Sequence, residues 1–229
     1  MSLFDLPSHP DVPVKGESEG YPVRRIFCVG RNYAAHAAEL GNEVPEAPFY
    51  FTKMPAHLVL SGAELPYPPG TANYHHEMEF VIAIGAPVFR CTPEEGLSAV
   101  YGYAAGLDMT RRDLQNEAKD QRRPWDLSKD FEGAAVIGEI TKAAEFGPVS
   151  DQKIVLTVDG ETRQDATLAE LIHSVPDVIA HLSGYYHLEP GDLIYTGTPA
   201  GVSAVEAGAV LEGSVEGLAP VRLTLGAAE

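Results

Sequence analysis

The chain has 229 residues, with 33 Asp and Glu against 16 Lys and Arg, and a formal net charge of −17. This length suits one sizeable domain, and the charge argues against non-specific binding to nucleic acid or to an anionic membrane surface. Two cysteines are too few for a disulfide framework or a thiolate metal site. We find no secretory signal pattern and no apolar run of membrane-spanning length, so we expect a cytoplasmic protein.

The first predicted elements are an N-terminal arm, followed along the chain by a strand, a helix and a second strand. Residues 1–22 are rich in Pro, Ser and Gly and lack periodicity, which predicts an arm leading into a single domain over residues 23–229. A short buried strand ending in glycine is predicted at Arg24–Gly30, a helix at Tyr33–Leu40 and an aromatic strand at Phe49–Thr52.

An apolar run with two glutamates at its head begins at Glu77-Met78-Glu79. Residues two apart on a strand point to the same face, so Glu77 and Glu79 should lie side by side, about 7 Å apart along the strand. The opposite face is apolar and is predicted to join the core: Met78, Phe80, Ile82 and Ile84. Two adjacent carboxylates suit a hard divalent cation. Taken alone, such a pair is more commonly a wet strand face with two solvated acids.

Asp108 is a third acidic candidate for the same site. It follows an apolar strand predicted at Val100–Leu107 and precedes Thr110, which is expected to cap a helix running through Ala118. An acid there can face the same cavity as the glutamate pair. Three carboxylates on one Mg²⁺ or Mn²⁺ would leave about three positions for water or a bidentate ligand. The alternative, that Asp108 caps the helix locally, is about equally favoured.

The rest of the chain is rich in predicted strands. A short helix is expected near Pro93–Leu97, a hairpin turn at Asp159-Gly160, and a helical stretch at Leu168–Leu182 that Pro176 restarts. Further strands are predicted at Ala134–Ile140, Ile154–Val158, Asp192–Thr196, Ala209–Val215 and Pro220–Leu225. Because strict β-α alternation, a Gly-x-Gly-x-x-Gly motif and a P-loop are all missing, we predict a mixed α+β, β-dominated domain and no nucleotide chemistry.

His36 and Glu39 form a second candidate pair on the first predicted helix. Residues three apart are neighbours on one helix face. A carboxylate beside an imidazole raises its pKa and fixes its orientation, as a general base that activates water requires. An ordinary exposed His/Glu pair is the alternative, but this helix follows directly from a strand ending in Gly30, where functional loops tend to gather.

Several motifs together resemble the fumarylacetoacetate hydrolase family, in the same order and over Arg24 to the C-terminus. They are Gly30-Arg31-Asn32-Tyr33 with His36 and Glu39, His75-His76-Glu77-Met78-Glu79, Asp108 to Gln115, Pro124-Trp125 with Lys129, and Gly191 to Pro199. The nearest likeness is to the short single-domain branch that includes acylpyruvate and fumarylpyruvate hydrolases.

The resemblance implies a fold, an assembly and roles for residues. The fold would be the β-roll or sandwich of the family's C-terminal domain, usually dimeric, with one Mg²⁺ or Mn²⁺ held by Glu77, Glu79 and Asp108. It assigns His36 and Glu39 to water activation and Lys129 to the active-site lysine. It also implies substrate-side positions, which are Arg31, Lys53, Arg112, Gln115 and Thr198. The histidines His75 and His76 are expected to be structural, since imidazole suits softer ions.

The implied activity is hydrolysis of a C–C bond in a 2,4-dioxo acid, foremost fumarylpyruvate to fumarate and pyruvate in aromatic-compound catabolism. Alternatives are an oxaloacetate decarboxylase, an isomerase or decarboxylase of ring-opened aromatic catabolites, and, more remotely, a non-catalytic protein that binds small acids or metal. The chain departs from the family at Asp130 and Glu132, where Gly and Asp are common, and Asp130 puts substrate preference in question. The segment Gly197–Gly201 either cradles an oxyanion or is a simple turn.

Overall fold

The computed structural model describes residue 3 and residues 11–39, 41 and 43–228. Strands in these residues are β1 (Asp11–Val12), β2 (Tyr21–Pro22), β3 (Arg25–Gly30), β4 (Phe49–Lys53), β5 (Leu58–Leu60), β6 (Ala63–Tyr67), β7 (Tyr74–His75), β8 (Met78–Ile84), β9 (Val100–Asp108), β10 (Thr110–Arg111), β11 (Ala135–Ile137), β12 (Thr141–Lys142), β13 (Lys153–Val158), β14 (Glu161–Thr167), β15 (Asp192–Tyr195), β16 (Val210–Val215) and β17 (Val221–Ala228). The α-helices are α1 (Ala34–Glu39), α2 (Pro93–Ser98), α3 (Arg112–Asp120), α4 (Asp126–Lys129), α5 (Ala143–Phe146) and α6 (Val175–Ser183). Of the helices in the described ranges, none is long and apolar enough to span a bilayer.

Two sheets form the body of the protein. The larger has the strand order β4-β3-β15-β8-β9-β11-β5, and β12 also pairs with β9. The smaller has the order β14-β13-β16-β17-β6. The main hydrophobic core takes buried side chains from both sheets, and its members include Phe80 of β8, Leu107 of β9, Leu156 of β13 and Leu223 of β17. The predicted β-dominated mixed fold is therefore confirmed.

The central strand β8 is buried on both faces. The glutamates at its start are therefore not solvated acids on an exposed strand face. Alternate residues of the strand face the main core, as predicted: Met78, Phe80, Ile82 and Ile84. Val81 and Ala83 face a second apolar cluster that includes side chains of β3 and β15. Glu79 lies on that second face, because it is two residues before Val81, and is only 1% exposed.

The described part of the predicted arm packs against the larger sheet. Strands β1 and β2 pair with each other, and Val12 and Tyr21 are buried in the second apolar cluster. The hydroxyl of Tyr21 donates to the carbonyl oxygens of Ile84 at 2.7 Å and Asp192 at 3.0 Å. The boundary between an arm at 1–22 and a domain at 23–229 stays a prediction, and residues 1, 2 and 4–10 lie outside the described ones.

The predicted hairpin and most predicted strands are found, with boundaries shifted by a few residues. The turn between β13 and β14 has φ of 52° at Asp159 and 81° at Gly160. Positive φ at both central residues is the type I′ geometry that matches the twist of the flanking strands. The strand expected at Ala134–Ile140 is shorter, as β11. The helix expected at Tyr33–Leu40 is α1, with Leu40 outside the described residues.

The predicted cap at Thr110 is wrong. Helix α3 begins at Arg112 after Arg111, which makes no side-chain capping bond. Thr110 belongs to β10, and its hydroxyl accepts a hydrogen bond from the ammonium of Lys129 at 2.6 Å. The hydroxyl that the sequence pattern assigns to a helix terminus is therefore hydrogen-bonded to a buried lysine.

The helical stretch predicted at Leu168–Leu182, with a restart at Pro176, is interrupted between Glu170 and Val175. A 3-10 turn spans Leu168–Glu170, and α6 begins only at Val175, with Ser174 as its N-cap. The residues between pair with the segment after β3, because the N–H of Ile172 donates to the carbonyl of Asn32 at 2.9 Å. This tertiary pairing overrides the local helical preference.

Candidate active site

Three buried carboxylates, the carboxylate trio of Glu77, Glu79 and Asp108, meet where β8 begins and β9 ends. Glu79 lies opposite Gly106 in the β8–β9 pairing, and the N–H of Asp108 donates to the carbonyl of Glu77 at 2.9 Å. One carboxylate oxygen of each acid lies within 4.8 Å of the others. Asp108 therefore faces the glutamate pair, and its reading as a local helix cap does not hold.

Lys129 joins two members of the trio. It ends α4, and its ammonium donates to Glu77 Oε2 at 2.8 Å, Asp108 Oδ2 at 2.7 Å and Thr110 Oγ1 at 2.6 Å. Burial opposes the charged form, but the carboxylates of Asp108 and Glu77 raise the pKa of Lys129 above its usual value. Lys129 is thus a permanent cation with all three donors engaged.

Lys53 is buried behind the trio and does not line the cavity, unlike the substrate-side position that the family resemblance implies. It is 2% exposed, and its ammonium lies 2.8 Å from Asp108 Oδ1. It also donates to the carbonyl oxygens of Met109 and Lys129. Through these contacts Lys53 holds the carboxylate of Asp108 in place.

The pKa values of the two glutamates in the trio are shifted in opposite directions. Burial would raise the pKa of Glu77, but the charges of Lys129 and Arg112 hold it well below the usual value. Burial raises the pKa of Glu79 well above its usual value, and the nearby charges of Asp108 and Glu77 raise it further. The neighbouring cations therefore stabilise the charged form of Glu77 but do not offset the cost of a charge on Glu79.

The donor set fits a hard divalent cation. Carboxylate oxygens are the ligands that Mg²⁺ and Mn²⁺ prefer, and three of them lie within 4.8 Å of one another. In the described part of the chain, Glu79 pairs with no lysine or arginine and accepts only the N–H of Gly197, at 2.8 Å. A buried carboxylate in that position is costly unless a cation compensates it.

His36 lines the same cavity, on α1. Its Nδ1 lies 3.5 Å from Glu39 Oε2, and burial lowers its pKa below the ordinary value. The imidazole is therefore neutral at pH 7, with Nδ1 on the Glu39 side and Nε2 left for another partner. Glu39 itself accepts the N–H of Gly201 with both carboxylate oxygens, at 3.1 Å each.

The loop from Gly197 to Gly201 is a scaffold for these acids. The N–H groups at its two ends are taken by Glu79 and Glu39, so they are not free to cradle an oxyanion. Gln164 fixes the middle of the loop, because its amide donates to Thr198 Oγ1 and to the carbonyl of Pro199, at 2.8 Å each. Gln164 carried no signal in the sequence that would mark it for this role.

Arg112 and the two histidines surround Glu77. The guanidinium of Arg112 pairs with Glu77 and donates to Gln115 Oε1 at 2.5 Å. His75 contacts Arg112, and His76 lies between Gln164 and Ser203; neither joins the carboxylate group. Burial lowers the pKa of each histidine to about 4. Both are neutral, hydrogen-bonded side chains, as expected of structural histidines.

One cavity brings most of the candidate residues together: Arg31, His36, Glu77, Glu79, Asp108, Arg112, Gln115, Lys129 and Thr198. Of the other candidates, Glu39 reaches this cavity through His36, and Lys53 through Asp108. The cavity therefore combines a hard-cation site, a neutral imidazole and basic side chains suited to an anionic ligand.

Residues 25–225 match the family model described as fumarylacetoacetate (FAA) hydrolase C-terminal. The chain belongs to the fumarylacetoacetate hydrolase family. The fumarylpyruvate hydrolase of Ralstonia sp is 55% identical over 185 residues, which cover 80% of this chain and 95% of the relative. The oxaloacetate tautomerase YcgM of Escherichia coli (strain K12) is 37% identical over 198 residues, covering 86% and 90%.

A solved member of the family has the same fold. The crystal structure of fumarylpyruvate hydrolase from Pseudomonas aeruginosa in complex with Mn²⁺ and pyruvate aligns with a TM-score of 0.95 and 42% identity. The alignment covers 99% of this chain and 100% of that chain. This confirms the predicted fold of the family's C-terminal domain.

The family motifs did not mark every residue of the cavity. Lys119, Phe49 and Phe51 also line it, and so does Trp125, which belongs to a family motif but had no assigned role. Phe49 and Phe51 alternate along β4, so period-2 reasoning could have placed them on one face. Lys119 lies in a charged stretch of α3 that resembles an ordinary solvated helix surface, and no local pattern distinguishes it.

The carboxylate of Asp130, a position at which the chain departs from the family, stabilises a turn. Asp130 Oδ1 accepts the N–H of Met54 at 2.8 Å and contacts His57 Nδ1 at 2.6 Å. Its carboxylate thus ties the end of α4 to the turn after β4 and does not line the cavity.

Proposed function

We propose that the protein hydrolyses the C3–C4 bond of a 2,4-dioxo acid, with fumarylpyruvate as substrate and fumarate and pyruvate as products. The observation that carries this proposal is that the carboxylate trio and the neutral imidazole of His36 line one cavity. Fumarylpyruvate hydrolases at 55% and 42% identity support the choice of substrate.

The carboxylate trio would hold one Mg²⁺ or Mn²⁺. When bound, such an ion supplies Lewis acidity and open positions for the carboxylate and 2-oxo oxygens of the substrate. Mn²⁺ is the ion in the Pseudomonas aeruginosa relative. Lys129, whose donors are already engaged by Glu77, Asp108 and Thr110, contributes its fixed positive charge to the developing oxyanion and enolate.

His36 would act as the general base and then as the acid. Its neutral imidazole, oriented by Glu39, takes a proton from water while the water oxygen bonds to C4 and the C4 carbonyl becomes an oxyanion. Collapse of the oxyanion breaks the C3–C4 bond and leaves a new carboxylic acid, which loses its proton to solvent to give fumarate. C3 of the departing pyruvate enolate takes the proton from the imidazolium, which restores the base.

A direct assay tests this function. Purified protein is mixed with a panel of 2,4-dioxo acids, and loss of the enol absorbance is followed after Mg²⁺ or Mn²⁺ is added and then chelated. We expect metal-dependent loss with fumarylpyruvate, and no turnover after replacement of Glu77 or Glu79 by Ala. Retained activity in both variants would contradict the proposal.

A reaction of oxaloacetate is the second candidate, favoured by the 37% identity to the tautomerase YcgM. Oxaloacetate has the same carboxylate and 2-oxo oxygens, but its decarboxylation needs no attacking water. In His36→Ala, hydrolysis of fumarylpyruvate should fall by about 10²–10⁴-fold, the usual contribution of general acid–base catalysis. Equal turnover of oxaloacetate in wild type and variant, without hydrolysis in either, would favour the second candidate.

A homodimer, a cytoplasmic location and a place in aromatic-compound catabolism also remain proposals. Sedimentation of the purified protein tests the first. Comparing its abundance in cells grown on aromatic acids and on glucose tests the last.

A further inference from the structure

Two cations in the cavity have no acidic partner among the residues that the structure describes. Lys129 and Arg112 pair with members of the carboxylate trio. Arg31 and Lys119 line the same cavity, yet within the described ranges neither forms an ion pair with a carboxylate. Both are half-buried. In a chain with a net charge of −17, unpaired cations at a cavity wall call for an anion from outside the chain.

The two cations flank one aromatic pair. Phe49 and Trp125 pack edge to face, with ring centroids 5.9 Å apart. The guanidinium carbon of Arg31 lies 5.6 Å from the Phe49 ring centroid, and Lys119 Nζ lies 5.4 Å from that of Trp125. Aromatic faces attract cations without neutralising them. The pair therefore positions both charges and leaves them available to a ligand.

The backbone at Arg31 supports a built site. Its φ is +55°, a left-handed conformation that is uncommon for residues other than glycine and is kept where the surroundings impose it. The next residue supplies the constraint, because Asn32 Nδ2 donates to the carbonyls of His173 and Thr196, at 3.0 and 2.9 Å. Arg31 is thus held at the cavity wall.

The charge of Lys119 is itself unsupported. Burial lowers its pKa to about 8, and the charges of Arg112 and Arg31 act in the same direction. A bound anion between the cations would reverse this effect.

We propose that Arg31 and Lys119 form a second anion-binding pole, which binds a carboxylate at the acyl end of the substrate. The proposal rests on the proposed function, in which the carboxylate trio and its metal hold the other, 2-oxo acid end. It predicts that the enzyme selects dicarboxylic dioxo acids, such as fumarylpyruvate, over acylpyruvates with a neutral acyl group, such as acetylpyruvate.

The experiment compares kcat/KM for fumarylpyruvate and acetylpyruvate in wild type, Lys119→Met and Lys119→Arg. Methionine keeps most of the apolar stem and removes the charge. Lys153→Met is the matched control, because Lys153 is exposed and outside the cavity. We expect Lys119→Met to lose about 10–100-fold in kcat/KM for fumarylpyruvate, mainly through KM, as for a lost charged hydrogen bond. Acetylpyruvate should change by less than about threefold, and Lys119→Arg should keep the preference.

The outcomes separate the two proposals. Equal losses on both acids in Lys119→Met, or no loss on either, would overturn the second pole while hydrolysis by wild type stands. Wild-type protein that cleaves neither acid would overturn the function and the selection together. Activity toward acetylpyruvate also reports that the variant is folded, and an Arg31→Met variant with the same selective loss gives independent support.

Discussion

The backbone N–H of Gly201 donates to both carboxylate oxygens of Glu39, at 3.1 Å each. Four residues earlier, the N–H of Gly197 donates to Glu79 at 2.8 Å. One short loop therefore joins the partner of the base to a member of the carboxylate trio. Movement of α1 relative to this loop would separate His36 from the place where water is activated.

We predict that Glu39→Gln lowers kcat for fumarylpyruvate by about 10–100-fold and leaves KM within about twofold, because general-base catalysis depends on the orientation of the imidazole. Burial lowers the pKa of His36 and the Glu39 carboxylate partly offsets this effect, so the acid limb of the kcat–pH profile should move to lower pH in the variant. Steady-state kinetics between pH 5 and 9 measure both effects. An unchanged kcat with an unchanged profile would show that Glu39 does not position the base.

Glu79→Gln should weaken Mn²⁺ binding by more than about 100-fold, since loss of even an outer-shell partner commonly costs 10–100-fold. Glu79 is the trio member without a cationic side chain beside it in the described residues, so the ion is its main compensation. Isothermal titration of metal-free protein measures the affinity. Glu64→Gln, at an exposed position of β6, is the control for charge, and equal affinities in both variants would contradict the assignment.

Asp130→Ala should reduce stability without changing substrate preference. The residue holds the N–H of Met54 and the ring of His57, and loss of these hydrogen bonds should cost about 1–3 kcal/mol in the free energy of unfolding. Urea denaturation measures this cost. The ratio of kcat/KM values for fumarylpyruvate and acetylpyruvate should stay within about twofold, and a tenfold change would mean that Asp130 acts on the substrate.

The preference for dicarboxylic substrates should decline as pH rises through about 8, the lowered pKa of Lys119. Above it the lysine is neutral, and below it the cation is available. Arg112 of the same helix, with Arg31, Lys129 and Glu77 from neighbouring segments, acts on this titration, and arginines stay charged throughout the range. The ratio of kcat/KM for the two acids, measured from pH 6.5 to 9.5, cancels effects common to both. Lys119→Arg should hold the ratio constant, and a wild-type ratio without pH dependence would count against this role.

Much of the site was predictable because it depends on short-range periodicity. Glu77 and Glu79 are two apart at the start of a strand, and His36 and Glu39 are three apart on a helix, so geometry alone places each pair together. Asp108 needed the pairing of β8 with β9, which no local pattern specifies. The family resemblance supplied that link in the sequence, and the register supplies its physical cause.

The structure differs from what local sequence patterns suggest where tertiary contacts replace local ones. Thr110 carries the signature of a cap, but the buried ammonium of Lys129 takes its hydroxyl. Lys53 has no sequence feature that separates burial behind Asp108 from exposure to substrate. Lys119 resembles a solvated helical lysine, and only the packing of α3 against Trp125 reveals its position in the cavity.

Hydrolysis of fumarylpyruvate in H₂¹⁸O, with Mn²⁺ present, tests the central claim most directly. If water activated by His36 attacks C4, the fumarate formed carries one ¹⁸O in its new carboxylate and appears in equal amount with pyruvate, as read by mass spectrometry. Fumarate without the label, or release of CO₂ in place of fumarate, would contradict the account.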